Sequence, residues 1–263
     1  MAAYEYGSLP PAAAGDESEI HIRLVNLPPG EKTGPVTCTM IECPLSQPLE
    51  YEAVSYCWGD KNDTAQILCD GRTLAVPSNL NDFLLRTRAE GQDRTLWVDS
   101  ICIDQKNNKP EKDSQMAAMR HIYRKAKRTL IWLGKEYDQS TIGLEFAGKL
   151  CTAFKDIATQ KKAKWYELFT YSELSAVFGF GQDWVAFFKL FDRPWFTRAW
   201  IVQEVVVSTQ AWIVCGGKTI YVCIVSQPLF LLPNNLWKFQ CSSTSKKVNS
   251  CSIPLPQLRN LLT

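Results

Sequence analysis

The chain has two histidines, His21 and His121, and neither lies at a spacing that pairs it with a cysteine cluster. That shortage leaves no zinc-ligand set and no Cys/His nucleophile pattern, so Cys102 is not read as a catalytic thiol. Ten cysteines are present, but no two of them form a C-x-x-C pair. Residues 1–6 carry neither the charged nor the apolar segment of a secretory signal. The thiols are therefore expected to be free and mostly buried in a reducing compartment, which makes the cytoplasm the expected location. No metal is expected. G-x-G-x-x-G and phosphate-loop patterns are missing, which removes support for a dehydrogenase or an NTPase. A formal charge of +2 without a basic stripe excludes a nucleic-acid footprint. No apolar run reaches the ~18–20 residues of a membrane span, because Ile220–Leu232 is broken by Ser226, Gln227 and Pro228. Acidic residues are absent after Glu204.

What remains is an ordinary globular composition, 46% hydrophobic and 21% charged, with nine tryptophans. Residues 1–19 read as a flexible leader. Ile20–Leu24 and Val36–Glu42 alternate apolar with polar around Pro28–Pro29–Gly30, which predicts a small N-terminal β-hairpin preceding the main fold. Tyr51–Trp58 and Leu96–Ile103 read as strands covered on both faces. Between them, Ser78–Arg88 has helical spacing with Ser78 as a candidate N-cap. Asp113–Lys127 predicts a helix whose stripe is Met116, Met119, Tyr123 and Ala126, with Arg120, Arg124 and Lys127 outward. Thr129–Gly134 and Ala211–Cys215 follow as strands. Residues 138–190 predict a helical insertion that packs on the sheet, and Arg193–Ser208 a helix with Pro194 in its first turn. Residues 221–263 have no sustained period. They are read as a poorly defined tail, either a small appendage or the mark of truncation. The strand–helix alternation predicts parallel β-α-β units.

Three segments stand out in order: Tyr51–Asp60 (YEAVSYCWGD), Leu96–Gln105 (LWVDSICIDQ) with Glu111, Gln115, Met119, Tyr123 and Trp132–Gly134 behind it, and Arg193–Glu204 (RPWFTRAWIVQE). Together they resemble the three motifs of the fungal heterokaryon-incompatibility (HET) domain family, over roughly residues 4–220. Cys57 and Asp104 depart from the residue types common there, and the chain after about Thr219 does not resemble the family. The family is in turn similar to Toll/interleukin-receptor (TIR) domains. This implies an α/β, flavodoxin-like (TIR-like), mostly parallel sheet flanked by helices, over residues 20–220. The same resemblance sets Trp200 and Glu204 where enzymatic TIR domains carry a tryptophan and a catalytic glutamate.

The implied function is an incompatibility or immunity-type effector that triggers programmed cell death, through self-association or with another incompatibility protein. NAD would be a substrate, hydrolysed to nicotinamide and an ADP-ribose product, and no resident cofactor is implied. Glu204 is the candidate catalytic residue, able as a carboxylate to stabilise oxocarbenium character at a ribose. Trp200 would lie beside it at i, i+4 spacing on one helix face. Trp58, Gly59, Asp60 and Asp104 lie at strand ends, where doubly wound sheets bind ligands, and with Ser55 and Asp99 inside the strands they are the candidate nucleotide-binding residues. Plainer roles stay open for each. Glu204 can be a helix glutamate paired with Arg198 or Arg193, Asp99 a structural acceptor, Ser55 a packing residue and Asp60 a turn residue. A non-enzymatic signalling module and an inactive remnant also stay open.

Overall fold

The structure is a computed structural model that describes residues 1–10, 20–31, 33–47, 49–88, 91–105, 107–161, 181–199 and 201–221, without the side chains of 153–161, 202 and 203. Its strands are β1 (His21–Leu27), β2 (Thr37–Pro44), β3 (Glu52–Tyr56), β4 (Thr64–Cys69), β5 (Arg72–Pro77), β6 (Arg94–Trp97), β7 (Arg128–Trp132), β8 (Ala211–Cys215) and β9 (Lys218–Tyr221). Its α-helices are α1 (Ser78–Thr87), α2 (Asp99–Cys102), α3 (Lys109–Lys125), α4 (Ser140–Lys161), α5 (Gln182–Lys189) and α6 (Ile201–Val206). The strands form one sheet in the order β5-β4-β2-β1-β6-β3-β7-β8-β9.

The centre of that sheet, β6-β3-β7-β8, is parallel throughout. In chain order its strands run 2-1-3-4, the flavodoxin-like arrangement. β3 lies where the winding changes direction, and all five of its residues are buried. Such a strand must be apolar on both sides. Register puts Ser55 beside Ile131 and Tyr56 beside Trp132. Trp132 meets Phe83 of α1, whereas Ser55 meets Glu204 of α6, so these helices cover opposite faces.

The flanks are antiparallel in part, which makes the whole sheet mixed. The predicted N-terminal hairpin forms as β1 and β2, with His21 opposite Pro44. It is not set apart from the main sheet, however. β1 pairs with β6 and joins the hairpin to the sheet. A second hairpin, β4–β5, escaped the sequence reading, although its Asp70–Gly71 turn is a clear signal: both residues have positive φ, as a tight two-residue hairpin turn requires. From the presumed leader, Ala3 bridges Thr73 of β5, while residues 11–19 lie outside the described residues.

Four local expectations are corrected. Leu96–Ile103 does not stay extended: the chain leaves β6 after Trp97 and turns into α2, where the amides of Ile101 and Cys102 both reach Val98 O. Helix α3 begins at Lys109 rather than Asp113, because Asn108 caps the Glu111 amide and Pro110 suits the first turn. Its buried stripe is Glu111, Gln115, Ala118, Ile122 and Tyr123, and Met116 is 37% exposed; two polar side chains take places in the stripe because β1 offers them partners. Ser78 is the first residue of α1 rather than its cap, and its hydroxyl bonds Asp63 instead. Finally, Arg193–Ser208 is not one helix. Pro194–Thr197 is a 3-10 turn, Arg198 is extended at φ −77° and ψ 136°, and the α-helix begins at Ile201.

In the expected insertion, α4 and α5 pack so closely that a Cβ on Gly143 would lie 2.5 Å from Ala186 O. Leu144, Phe146 and Phe187 from these helices share a buried cluster with Ile131 and Ile213 of the sheet. Residues 162–180 of that segment, and 222–263 of the tail, lie outside the described residues.

Candidate functional site

Ser55 sits one residue before the end of β3, and its side chain is where that strand meets the segment 195–204. Its hydroxyl donates to Glu204 Oε2 and accepts from Trp195 Nε1 at 2.8 Å and Arg198 Nη1 at 3.3 Å. Arg198 in turn grips Glu204 with both guanidinium ends, at 3.0 Å to Oε2 and 2.8 Å to Oε1. Glu204 is 1% exposed. A carboxylate so buried needs a charged partner and hydrogen bonds, and here it has both. The break in the predicted helix is what makes the pair possible: extended backbone at Arg198 lets its side chain fold back on Glu204 six residues later.

Asp99 opens α2 at the C-terminal end of β6. Its Oδ2 accepts from Trp58 Nε1 at 3.2 Å, while Oδ1 is sealed from solvent without a hydrogen-bond partner among the described residues. Burial, and then the charge of Glu204, push this carboxyl up to about 6; Arg198 and the Trp58 indole pull the other way without cancelling the rise. Burial also lifts the phenols of Tyr56 and Tyr123 well above their usual range, and nearby carboxylates add to it. Both remain donors, Tyr56 to Ser100 Oγ at 2.6 Å and Tyr123 to Val54 O at 3.0 Å. The site thus holds two acidic side chains of unequal character. Glu204 is neutralised by Arg198, and Asp99 is poised to exchange a proton near neutrality.

The nominated residues divide. Ser55 pairs with Glu204 and Trp58 with Asp99, and the two pairs are near enough for the charge of Glu204 to act on Asp99; Trp58 is 38% exposed at the rim. Gly59 and Asp60 do not join them: Gly59 takes φ +78° and Asp60 accepts from the amide of Asn62, as turn residues do. Asp104 belongs to a different buried network, where its amide donates to Glu111 Oε1 and its carboxylate accepts from the Asn107 amide. Trp200 lies outside the described residues. Burial pushes the Cys102 thiol up to about 12, which disfavours the thiolate.

Sequence reasoning missed Tyr56, Tyr123, Ser100 and Trp195 as site residues, and read Arg198 only as a partner for Glu204. Trp195 is buried, and its indole N–H has the Ser55 hydroxyl as acceptor. The signal for Arg198 was the need of a buried acid for a cation nearby.

A cavity of about 290 Å³ lies on the α1 side, lined by Leu85, Arg86, Trp132, Lys135, Glu136 and Gly216 among others. None of the nominated residues lines it. Among the described residues no cluster of His, Cys, Asp and Glu is arranged to hold a metal ion, and the described cysteines are unbridged. No helix is long and apolar enough to cross a membrane among the residues described.

The profile of the family described as "Heterokaryon incompatibility protein (HET)" matches residues 51–204, which contain Ser55, Asp99, Arg198 and Glu204. A curated relative, heterokaryon incompatibility protein 6, OR allele, of Neurospora crassa, is 29% identical over 246 residues. That match covers 82% of this chain and 36% of the relative, so the chain spans about a third of the length of the protein it resembles. No solved structure matches.

Proposed function

The chain belongs to the heterokaryon-incompatibility (HET) family, and from that premise we propose that it is an incompatibility effector domain that triggers cell death by hydrolysing NAD. The observation that carries this reading is the placement of Glu204 and Asp99 together at the C-terminal ends of parallel strands, where the winding of the sheet reverses. In the reaction, the bond between nicotinamide nitrogen and ribose C1′ breaks, and nicotinamide leaves with the bonding electron pair. Water adds to C1′, and its proton passes to the Asp99 carboxylate. Glu204 stabilises the cationic ribose once Arg198 has turned away from it. Displacement of Arg198 is the gating step, and self-association or docking of another incompatibility protein supplies it. The resemblance of the motifs to those of TIR domains implies the same chemistry.

A second reading is favoured by one specific fact: both Glu204 oxygens are already engaged by Arg198 and Ser55. On that reading the cluster is a structural lock in a non-enzymatic signalling module. Expression of the protein, fused to an inducible oligomerisation tag, and of its Glu204→Gln variant in a fungal host separates the two. Growth arrest with NAD loss in the parent, both absent in a folded Glu204→Gln protein, is the expected result. Growth arrest with unchanged NAD selects the signalling module, and NAD loss that persists in the variant removes Glu204 from the reaction.

A further inference from the structure

A one-turn helix such as α2 satisfies few of its own backbone groups, so its carbonyls need donors from elsewhere. Three side chains supply them. Gln105 Nε2 reaches Asp99 O at 3.0 Å, the Tyr6 hydroxyl reaches Ile101 O at 2.9 Å, and Arg23 Nη1 reaches Cys102 O at 3.1 Å. Arg23 is wholly buried and tied to Glu111 by 2.6 and 3.0 Å bonds. The Tyr6 ring lies over its guanidinium at 5.1 Å, and Gly7 O accepts from its Nη2 at 2.5 Å. The N-terminal segment is itself anchored, since the Tyr4 amide donates to Thr73 O and the Thr73 amide to Ala2 O. At its other end the same helix presents Asp99 to Trp58 and Ser100 to Tyr56.

We infer that Tyr6 and Arg23 are positioning residues for Asp99: by closing the carbonyls at the far end of α2 they hold that helix, and with it the Asp99 carboxyl, in the site. The N-terminal segment is then a strap that sets the site's acid from the opposite end of one helical turn. The inference rests on the reading of the Asp99–Glu204 cluster as the functional centre. Among the described residues the groups that act on Asp99 include Glu204 of α6, Arg198 ahead of it, the Trp58 indole, Tyr56 of β3, Tyr123 of α3 and Cys102 of α2 itself, and none of these belongs to the strap. Its influence therefore acts through position and burial.

The test follows the indole N–H resonance of Trp58 in the full-length protein, identified by its loss in Trp58→Phe, between about pH 4 and 8. In the parent the resonance moves with a midpoint near 6, and in Asp99→Asn that movement is absent. Tyr6→Phe keeps the ring over Arg23 and loses only the bond to Ile101 O. Its midpoint falls by about one pH unit as the freed carboxyl gains water, and Tyr6→Leu shifts it at least as far. The pH profile of NAD consumption moves in the same direction. A folded Tyr6→Phe and a folded Tyr6→Leu with the parent's midpoint would overturn the inference, as would a parent midpoint that survives in Asp99→Asn. Absence of NAD consumption in every protein defeats the hydrolase reading alone, because the resonance still reports on the strap.

Discussion

Arg198 and Glu204 form a two-pronged ion pair at 3.0 and 2.8 Å, and the glutamate end of it is almost entirely shut off from water. In such a pair each charge is tolerable only because of the other. Loss of one partner leaves a buried charge without compensation, which costs about 3–5 kcal/mol, whereas loss of both costs much less.

Arg198→Met is therefore expected to destabilise the fold by about 3 kcal/mol, and the Arg198→Met/Glu204→Gln double variant by less than Arg198→Met alone. Urea denaturation of the parent, both single variants and the double variant measures the coupling. Additive losses would show that the two residues act independently.

Asp99 makes stability fall as pH rises. Its folded-state carboxyl titrates at about 6, above the ordinary value of 3.8, so the folded chain binds this proton more tightly than the unfolded chain does. The contribution is complete below pH 3.8 and is lost as pH climbs through 6. Asp99→Asn is expected to be more stable than the parent at pH 7 by about 2 kcal/mol, with the gain shrinking to nothing near pH 3.5. Equal gains at both pH values would contradict the assignment.

Gly216 turns the chain between β8 and β9 at φ +50°, and a Cβ there would lie 2.5 Å from Glu136 Cβ and 2.9 Å from its amide nitrogen. Gly216→Ala combines backbone strain with a clash against main chain. A loss of about 2–4 kcal/mol is expected. Thermal unfolding reads it directly, and a melting temperature unchanged from the parent would refute the close approach.

Arg193 is buried and spends its donors on three carbonyls of the segment after β7, those of Leu133, Lys135 and Tyr137, while stacking 3.4 Å from the Tyr137 ring centroid. A lysine ammonium cannot reproduce that fork. Arg193→Lys is expected to speed amide hydrogen exchange across residues 133–137 at least tenfold on the order of a lost charged hydrogen bond, and to leave the β1–β2 hairpin unchanged. Uniform acceleration over the whole chain would mean global unfolding instead.

Much of the core was legible in local pattern. Glu52–Tyr56 forms a strand covered on both faces, and Ala211–Cys215 forms where its apolar run placed it. The alternation in β1 and β2 marked both as strands, although Arg23 is buried in β1 along with its apolar neighbours, because Glu111 gives that guanidinium a partner. Where local pattern misled, a neighbour in space had intervened. Val98–Ile103 looks like strand, yet its carbonyls find Tyr6 and Arg23 and the segment closes into a turn of helix. Met116 has the right spacing for the core, but the stripe of α3 is drawn round to Arg23 and His21 by Glu111 and Gln115.

The candidate site divides along the same line. Glu204 was nominated by the family resemblance, and Asp99 by the need of a carboxylate inside an apolar strand for a partner. That Ser55 and Glu204, 149 positions apart, share a hydrogen bond is a product of the fold. So is the choice of Arg198 as the cation, the bond of Trp58 to Asp99, and the assignment of Asp104 to the Arg23–Glu111 network instead. Which partner neutralises a buried charge depends on sheet register and on where a helix breaks, and neither is encoded in the spacing of the residues that carry the charge.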